Sequence, residues 1–301
     1  MTDAYLQFRD ELVAAGLLVP TGVEGLFGKS GLFEAVVAGL DGLIVEAGAP
    51  DQPTVLRFPP VLARSTFERT DYLRSFPDLI GSVHSFRGTD KDHAALLRAV
   101  ESGADWTPHL SATEITLCPA ACYPLYPMST GTIDAAGKRY DVFAYCFRHE
   151  PSPDPARMQV FRMHEFVRVG TPEQALSHRD AWIERGLKLL TGLGLPVVPD
   201  VANDPFFGRA GRMLAVNQRD AELKYELLVP ICSEDKPTAI ASSNYHMDHF
   251  GTPFSISLTD GSPAHSACVG FGMERITLAL FKHHGLDPEQ WPKSVRSQLL
   301  P

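Results

Sequence analysis

The chain has 301 residues, 44% of them hydrophobic and 21% charged, and a net charge of −9 at neutral pH. This is enough apolar material for one large core or two smaller ones. The acidic balance argues against a nucleic-acid partner, since proteins that hold a long polyanion carry a basic face, and no apolar run approaches the ~20 residues of a membrane span.

In chain order, residues 3–16 read as a short amphipathic helix with Tyr5, Phe8, Leu12 and Val13 on one side. Helical periodicity over 31–46 runs through a Gly/Pro turn into a strand closed by Pro59-Pro60. A helix over 90–102 follows, with Leu96, Leu97 and Val100 as its apolar face. Strands are expected around 115–117, 140–148 and 159–169, with a Gly-rich turn near 131–138. A helix over 173–190 is started by Thr171-Pro172 as cap and first turn. Strands return at 223–230, 237–244 and 253–258. A helix over 272–284 is closed by Gly285, and a last helix spans roughly 287–299. The pattern is α+β: an antiparallel sheet flanked by helices, read as one domain over 1–301. Within it, 1–30 is an N-terminal appendage and 191–222 an insertion. Nothing near the N-terminus reads as a signal peptide, so a soluble cytoplasmic enzyme is expected. The five cysteines (Cys118, Cys122, Cys146, Cys232, Cys268) suit buried thiols, metal ligands or reactive groups better than a disulfide framework.

Three stretches carry chemistry. In the first, Phe147-Arg148-His149-Glu150 leads through a proline-rich loop to Phe161-Arg162-Met163-His164-Glu165-Phe166. Alternation along a strand puts Arg148 with Glu150, and Arg162 with His164 and Phe166. An arginine for phosphate, an acid for a base amino group and an aromatic ring under adenine suit ATP held on a sheet. In the second, Gly270 and Gly272 allow close backbone approach, and Glu274-Arg275 open a helix whose N-terminus favours anions. The third is the helix-strand-proline unit over 31–60.

Together, and taken in chain order, these stretches resemble the three motifs of class II aminoacyl-tRNA synthetases. More closely, the chain resembles the amino acid:[carrier protein] ligases, relatives of the catalytic core of atypical archaeal-type seryl-tRNA synthetase. The resemblance covers roughly residues 30–300: motif 1 at 31–60, motif 2 at 147–166 and motif 3 at 269–281.

The resemblance implies that Arg148 holds the α-phosphate, Arg275 the γ-phosphate, Phe166 stacks on adenine and Glu150 contacts its edge. Arg162 joins the ATP set. It also implies zinc on Cys122, Glu165 and Cys268, with Cys118 as a rival for the first position; the PAACYP context favours Cys122. Three protein ligands leave a fourth position for a substrate amine. Cys146 and Cys232 read as core residues. Glu226 and Asn244 are candidates to face substrate and the Mg²⁺ that accompanies ATP, with Asp248 and His246 behind them. The run from Asp204 to Arg209 looks like a family feature without assignable chemistry. Ser243 stands where the family often has an aromatic residue, which implies a roomier amino-acid pocket.

The activity implied is ATP-dependent activation of a small amino acid, glycine or alanine, and transfer to the phosphopantetheine thiol of a carrier protein by a homodimer built through motif 1. The alternatives are a minimal seryl-tRNA synthetase-like enzyme and a non-catalytic paralogue. No tRNA-binding domain is evident, and no nucleic acid or membrane partner is expected.

Overall fold

The computed structural model describes residues 2–204, 216, 218 and 222–300. Helix α1 (Thr2–Ala14) leads into a small hairpin of β1 (Leu18–Pro20) and β2 (Phe27–Lys29). Helix α2 (Gly31–Gly48) begins where the Ser30 hydroxyl accepts a hydrogen bond from the Phe33 N–H at 3.2 Å. It buries Phe33, Val36, Val37, Leu40 and Ile44, the one-face spacing that a helix against a sheet requires. Its last residue must be glycine, because a Cβ on Gly48 would lie 2.1 Å from the Phe166 ring.

Strand β3 (Thr54–Arg57) follows, then a small lobe. In that lobe β4 (Val61–Ala63), β5 (Ser82–Ser85) and β6 (Ser111–Leu117) form a sheet of order β4-β6-β5, accompanied by α3 (Arg64–Glu68), α4 (Tyr72–Ser75) and α5 (Asp90–Glu101). Beyond the short β7 (Gly131–Thr132) come β8 (Lys138–Phe147), β9 (Val160–Gly170) and α6 (Pro172–Gly192). Next are β10 (Val198–Ala202), β11 (Lys224–Val229), β12 (Thr238–Met247), β13 (Ile256–Ser257), β14 (His265–Gly272), α7 (Met273–His284) and α8 (Lys293–Leu299).

The central sheet has seven strands in the order β10-β11-β12-β14-β9-β8-β3. Every pairing is antiparallel except that of β3 with β8 at the edge. One face packs on α2, α6 and α7 around Phe166, Trp182, Phe271, Ile276 and Leu280. The other face carries a second core of Tyr126, Val142, Phe250 and Phe254, and beside it a large cavity.

The sequence reading misses β14, a central strand. Both of its faces are buried, so HSACVGFG shows no polar alternation, and its glycines read as a loop. Of the strand expected at 253–258, only β13 forms. Pro292 divides the expected last helix into a 3₁₀ turn (Pro288–Gln290) and α8. The stretch expected as an insertion contributes β10 to the sheet edge; its residues 205–215, 217 and 219–221, including most of the Asp204 to Arg209 run, lie outside the described residues.

Candidate active site

A cavity of about 720 Å³ opens on the sheet face opposite α2, α6 and α7. Strand β9 supplies Phe161, Met163 and Glu165 to it, while Gly270 of β14 forms part of the floor. A Cβ on Gly270 would lie 3.0 Å from the Met163 methyl and 3.5 Å from the Glu165 side chain, so the glycine keeps the floor low.

At one end stand Arg148 and Arg275. Arg148 Nε donates to the Pro119 carbonyl at 3.1 Å, and its guanidinium lies 5.5 Å from the Phe161 ring centroid. Arg275, in the first turn of α7, donates through Nε to the Ala156 carbonyl at 2.8 Å and through a terminal nitrogen to the Ala239 carbonyl at 3.0 Å. Burial and the charge of Arg148 hold the Arg275 pKa below its ordinary value. Among the described residues neither arginine is in a salt bridge. Glu150 lines the same end and pairs with Arg157 at 3.4 Å. Two half-buried guanidinium groups that have no salt-bridge partner among the described residues make this end a receptor for anionic oxygens.

Deeper in, Cys122, Glu165 and Cys268 bring their ligand atoms within 4.8 Å of one another, all three buried. Cys122 opens the turn over Tyr123–Ser129, while Glu165 and Cys268 come from adjacent strands. The Ala121 N–H donates to Glu165 Oε1 at 2.8 Å and fixes the carboxylate. Burial, with the Cys268 thiolate beside it, pushes the Glu165 carboxyl up to about 7. The hydrogen bond between the two thiols favours ionisation of Cys268 and opposes that of Cys122. Two sulfurs and a carboxylate, buried and convergent, are a donor set that fits zinc with one position open.

Cys118 is outside this group: its thiol bonds the Ala120 carbonyl at 3.0 Å, and it packs with Leu62, Phe67 and Tyr72. Cys146 is core, and Cys232 is half-buried against the larger core.

The cavity wall on β11 and β12 includes Glu226 and Asn244. Lys224, missed by the sequence reading, bridges Glu226 at 3.0 Å and Asp204 at 2.6 Å. Asn244 Nδ2 lies 3.2 Å from Ser242 Oγ and 3.7 Å from Cys268 Sγ, so Asn244 belongs to the cysteine end. Asp248 sits on the cavity wall, accepting from Thr252 Oγ at 3.0 Å.

Three expectations are corrected. Phe166 does not reach the cavity: it is 2% exposed on the helix side of the sheet, stacked 4.4 Å from the Trp182 ring and 5.1 Å from His164. Arg162 faces the same way, with Nε donating to Glu274 at 2.7 Å and a terminal nitrogen to Glu34 at 2.9 Å. The reason is the two-residue period of a strand, which cannot show Glu165 and Phe166 to one side. On β9 the ring that faces the cavity is that of Phe161, in phase with Glu165, and that parity is the available signal. Ser243 also points to the helices, donating to the Arg179 carbonyl at 3.0 Å, so its size does not set the volume of the cavity.

No family model matches the chain. It is 46% identical over 289 residues to amino acid–[acyl-carrier-protein] ligase 2 of Bradyrhizobium diazoefficiens, covering 95% of this chain and 86% of that one. It is 44% identical over 304 residues to ligase 1 of the same organism, covering 99% and 92%. Among solved structures, M. kandleri SerRS, in complex with A. aeolicus tRNASec, superposes with a TM-score of 0.82 at 22% identity, over 97% of this chain. The chain spans 60% of the length of that structure, a likeness that identifies the class II synthetase fold. With near-complete coverage of both curated ligases, the chain belongs to the amino acid–[acyl-carrier-protein] ligase family.

Proposed function

We propose that this enzyme activates a small amino acid, glycine or alanine, as its aminoacyl-adenylate and passes it to the phosphopantetheine thiol of a carrier protein. The observation that carries the reading is one cavity lined both by two arginines that have no salt-bridge partner among the described residues and by the Cys122–Glu165–Cys268 group. The first suits a triphosphate. The second suits a metal that selects an amine.

In the first half-reaction a carboxylate oxygen attacks the α-phosphorus and pyrophosphate leaves. Arg148 and Arg275 stabilise charge on the α- and γ-phosphates, Phe161 offers its face to adenine, and Glu150 accepts from the adenine amino group. Glu226 and Asn244 are the candidates to face substrate and Mg²⁺. Bound zinc supplies an open coordination position for the α-amine. In the second half-reaction the thiol attacks the adenylate carbonyl and AMP leaves, so no protein nucleophile is needed. Preference for a small side chain is supported by Tyr123 and Phe250, whose rings meet edge-on at 5.7 Å on the cavity wall.

We also propose a homodimer through α2 and β3. Strand β3 is the outer strand of the sheet, with Val55 60% exposed.

The test is incubation with ATP, Mg²⁺ and labelled glycine, alanine or serine, offering holo carrier, apo carrier and bulk tRNA in parallel. Label on the holo carrier alone is expected. Label on tRNA would make the chain a minimal synthetase, and no label with no pyrophosphate released would favour a non-catalytic paralogue.

A further inference from the structure

Behind the cysteine end of the cavity stands His246, which the proposed chemistry leaves without a role. Its Nε2 lies 3.5 Å from Cys268 Sγ and its Nδ1 lies 3.0 Å from the Ser266 hydroxyl. The ring also meets Phe250 edge-on at 5.1 Å, so packing and a hydrogen bond both fix its plane. Ser266 is 1% exposed and cannot exchange this partner for water. With Ser266 donating to Nδ1, the ring proton sits on Nε2 and points at the sulfur.

His246 is not one of the converging donors. Cys122, Glu165 and Cys268 are mutually within 4.8 Å, whereas the ring contacts that group through Cys268. Asn244 Nδ2 approaches the same sulfur at 3.7 Å. Cys268 therefore has two nitrogen donors directed at it from β12, a strand that supplies none of the three converging ligands.

We propose that His246, oriented by Ser266, is a positioning residue for the metal end of the cavity: it donates a hydrogen bond to the Cys268 thiolate and stays out of the coordination sphere, which keeps the fourth position free for the substrate amine. This rests on the reading of Cys122, Glu165 and Cys268 as zinc ligands. A donor aimed at a ligating thiolate fixes its direction and disperses its charge, and removal of such partners typically costs about 10–100-fold in metal affinity.

The test is zinc retention by the full-length protein against a graded chelator, with the absorption spectrum of the cobalt(II)-substituted protein as a second readout. His246→Leu removes the donor; His246→Gln restores an N–H at the place of Nε2. The Leu variant is expected to release zinc at about 10–100-fold lower chelator competition and to shift the cobalt–thiolate charge-transfer band. The Gln variant should stay within a few-fold of wild type on both. Equal zinc retention by the Leu variant and wild type would overturn the proposal. So would loss of a nitrogen ligand in the cobalt spectrum, which would make His246 a ligand. If the Leu variant does not fold, Ser266→Ala replaces it: weaker retention supports the proposal, and unchanged retention overturns it. Wild-type protein that takes up no zinc would instead overturn the metal reading underneath.

Discussion

Arg162 and Glu165 lie three positions apart on one strand and face opposite sides of the sheet, the first ion-paired to Glu274 among the helices and the second in the cavity beside Cys122 and Cys268. Over residues 161–166 strand β9 is thereby divided between two tasks, with Arg162, His164 and Phe166 facing the helix layer and Phe161, Met163 and Glu165 lining the cavity.

The two phenylalanines of β9 should accordingly separate binding from stability. Phe161→Ala is expected to raise the KM for ATP about tenfold, since a base–aromatic stack is worth roughly 1–3 kcal/mol, with little change in the unfolding midpoint. Phe166→Ala should lower stability by about 3–5 kcal/mol, because its ring fills the space between Gly48 and Trp182. Urea unfolding and ATP-dependent pyrophosphate exchange on both variants check this.

Arg162→Leu is expected to destabilise by about 3–5 kcal/mol, because it strands the Glu274 carboxylate, only 2% exposed, with Lys29 at 3.3 Å as its remaining cation. The ATP KM of the folded fraction should not change. A large rise in that KM at unaltered stability would return Arg162 to the nucleotide site.

Arg148→Ala and Arg275→Ala should each lower the rate of pyrophosphate exchange by about 10²–10³-fold, the usual cost of losing one donor to developing charge. Neither substitution breaks an ion pair among the described residues, so thermal unfolding should shift little.

Wild-type protein is expected to hold about one zinc per chain. Cys122→Ala, Glu165→Ala and Cys268→Ala should lose the zinc together with amino-acid activation, while Cys118→Ala keeps both. Metal analysis of the four purified variants decides this, and full occupancy in any of the first three removes that residue from the site.

His178, on α6, is half-buried with its Nε2 3.0 Å from the Phe166 carbonyl, and loss of hydration lowers its pKa to about 4. A histidine held below its unfolded pKa of about 6.5 stabilises the fold fully above that value and loses this contribution as pH falls toward 4. Between about pH 7 and pH 5 the wild type should lose about 2 kcal/mol that His178→Gln does not, measured by urea unfolding at the two values.

The parts of this molecule legible in its sequence are those with local grammar. Helices α2 and α6 announce themselves through caps and a one-face apolar pattern, and Ser30 and Thr171 stand where the caps form. The ordered motifs pointed to the family. What escaped is set by burial on two sides or by parity. Strand β14 hides because both of its faces are buried. Phe161 is distinguished from Phe166 by parity alone, Glu165 fixing the phase of the strand. Lys224 and His246 become visible only when β11, β12 and β14 are laid side by side, since their partners Asp204, Cys268 and Ser266 are distant in sequence.

Arg148 and Arg275 are steered by main-chain oxygens of Pro119, Ala156 and Ala239 rather than by acidic side chains. Their aim is thus settled when the chain folds, and no ion pair among the described residues has to open before a polyanion can enter. The reorganisation that a triphosphate would otherwise impose is largely complete before it arrives, which leaves more of its binding energy for the geometry of in-line attack.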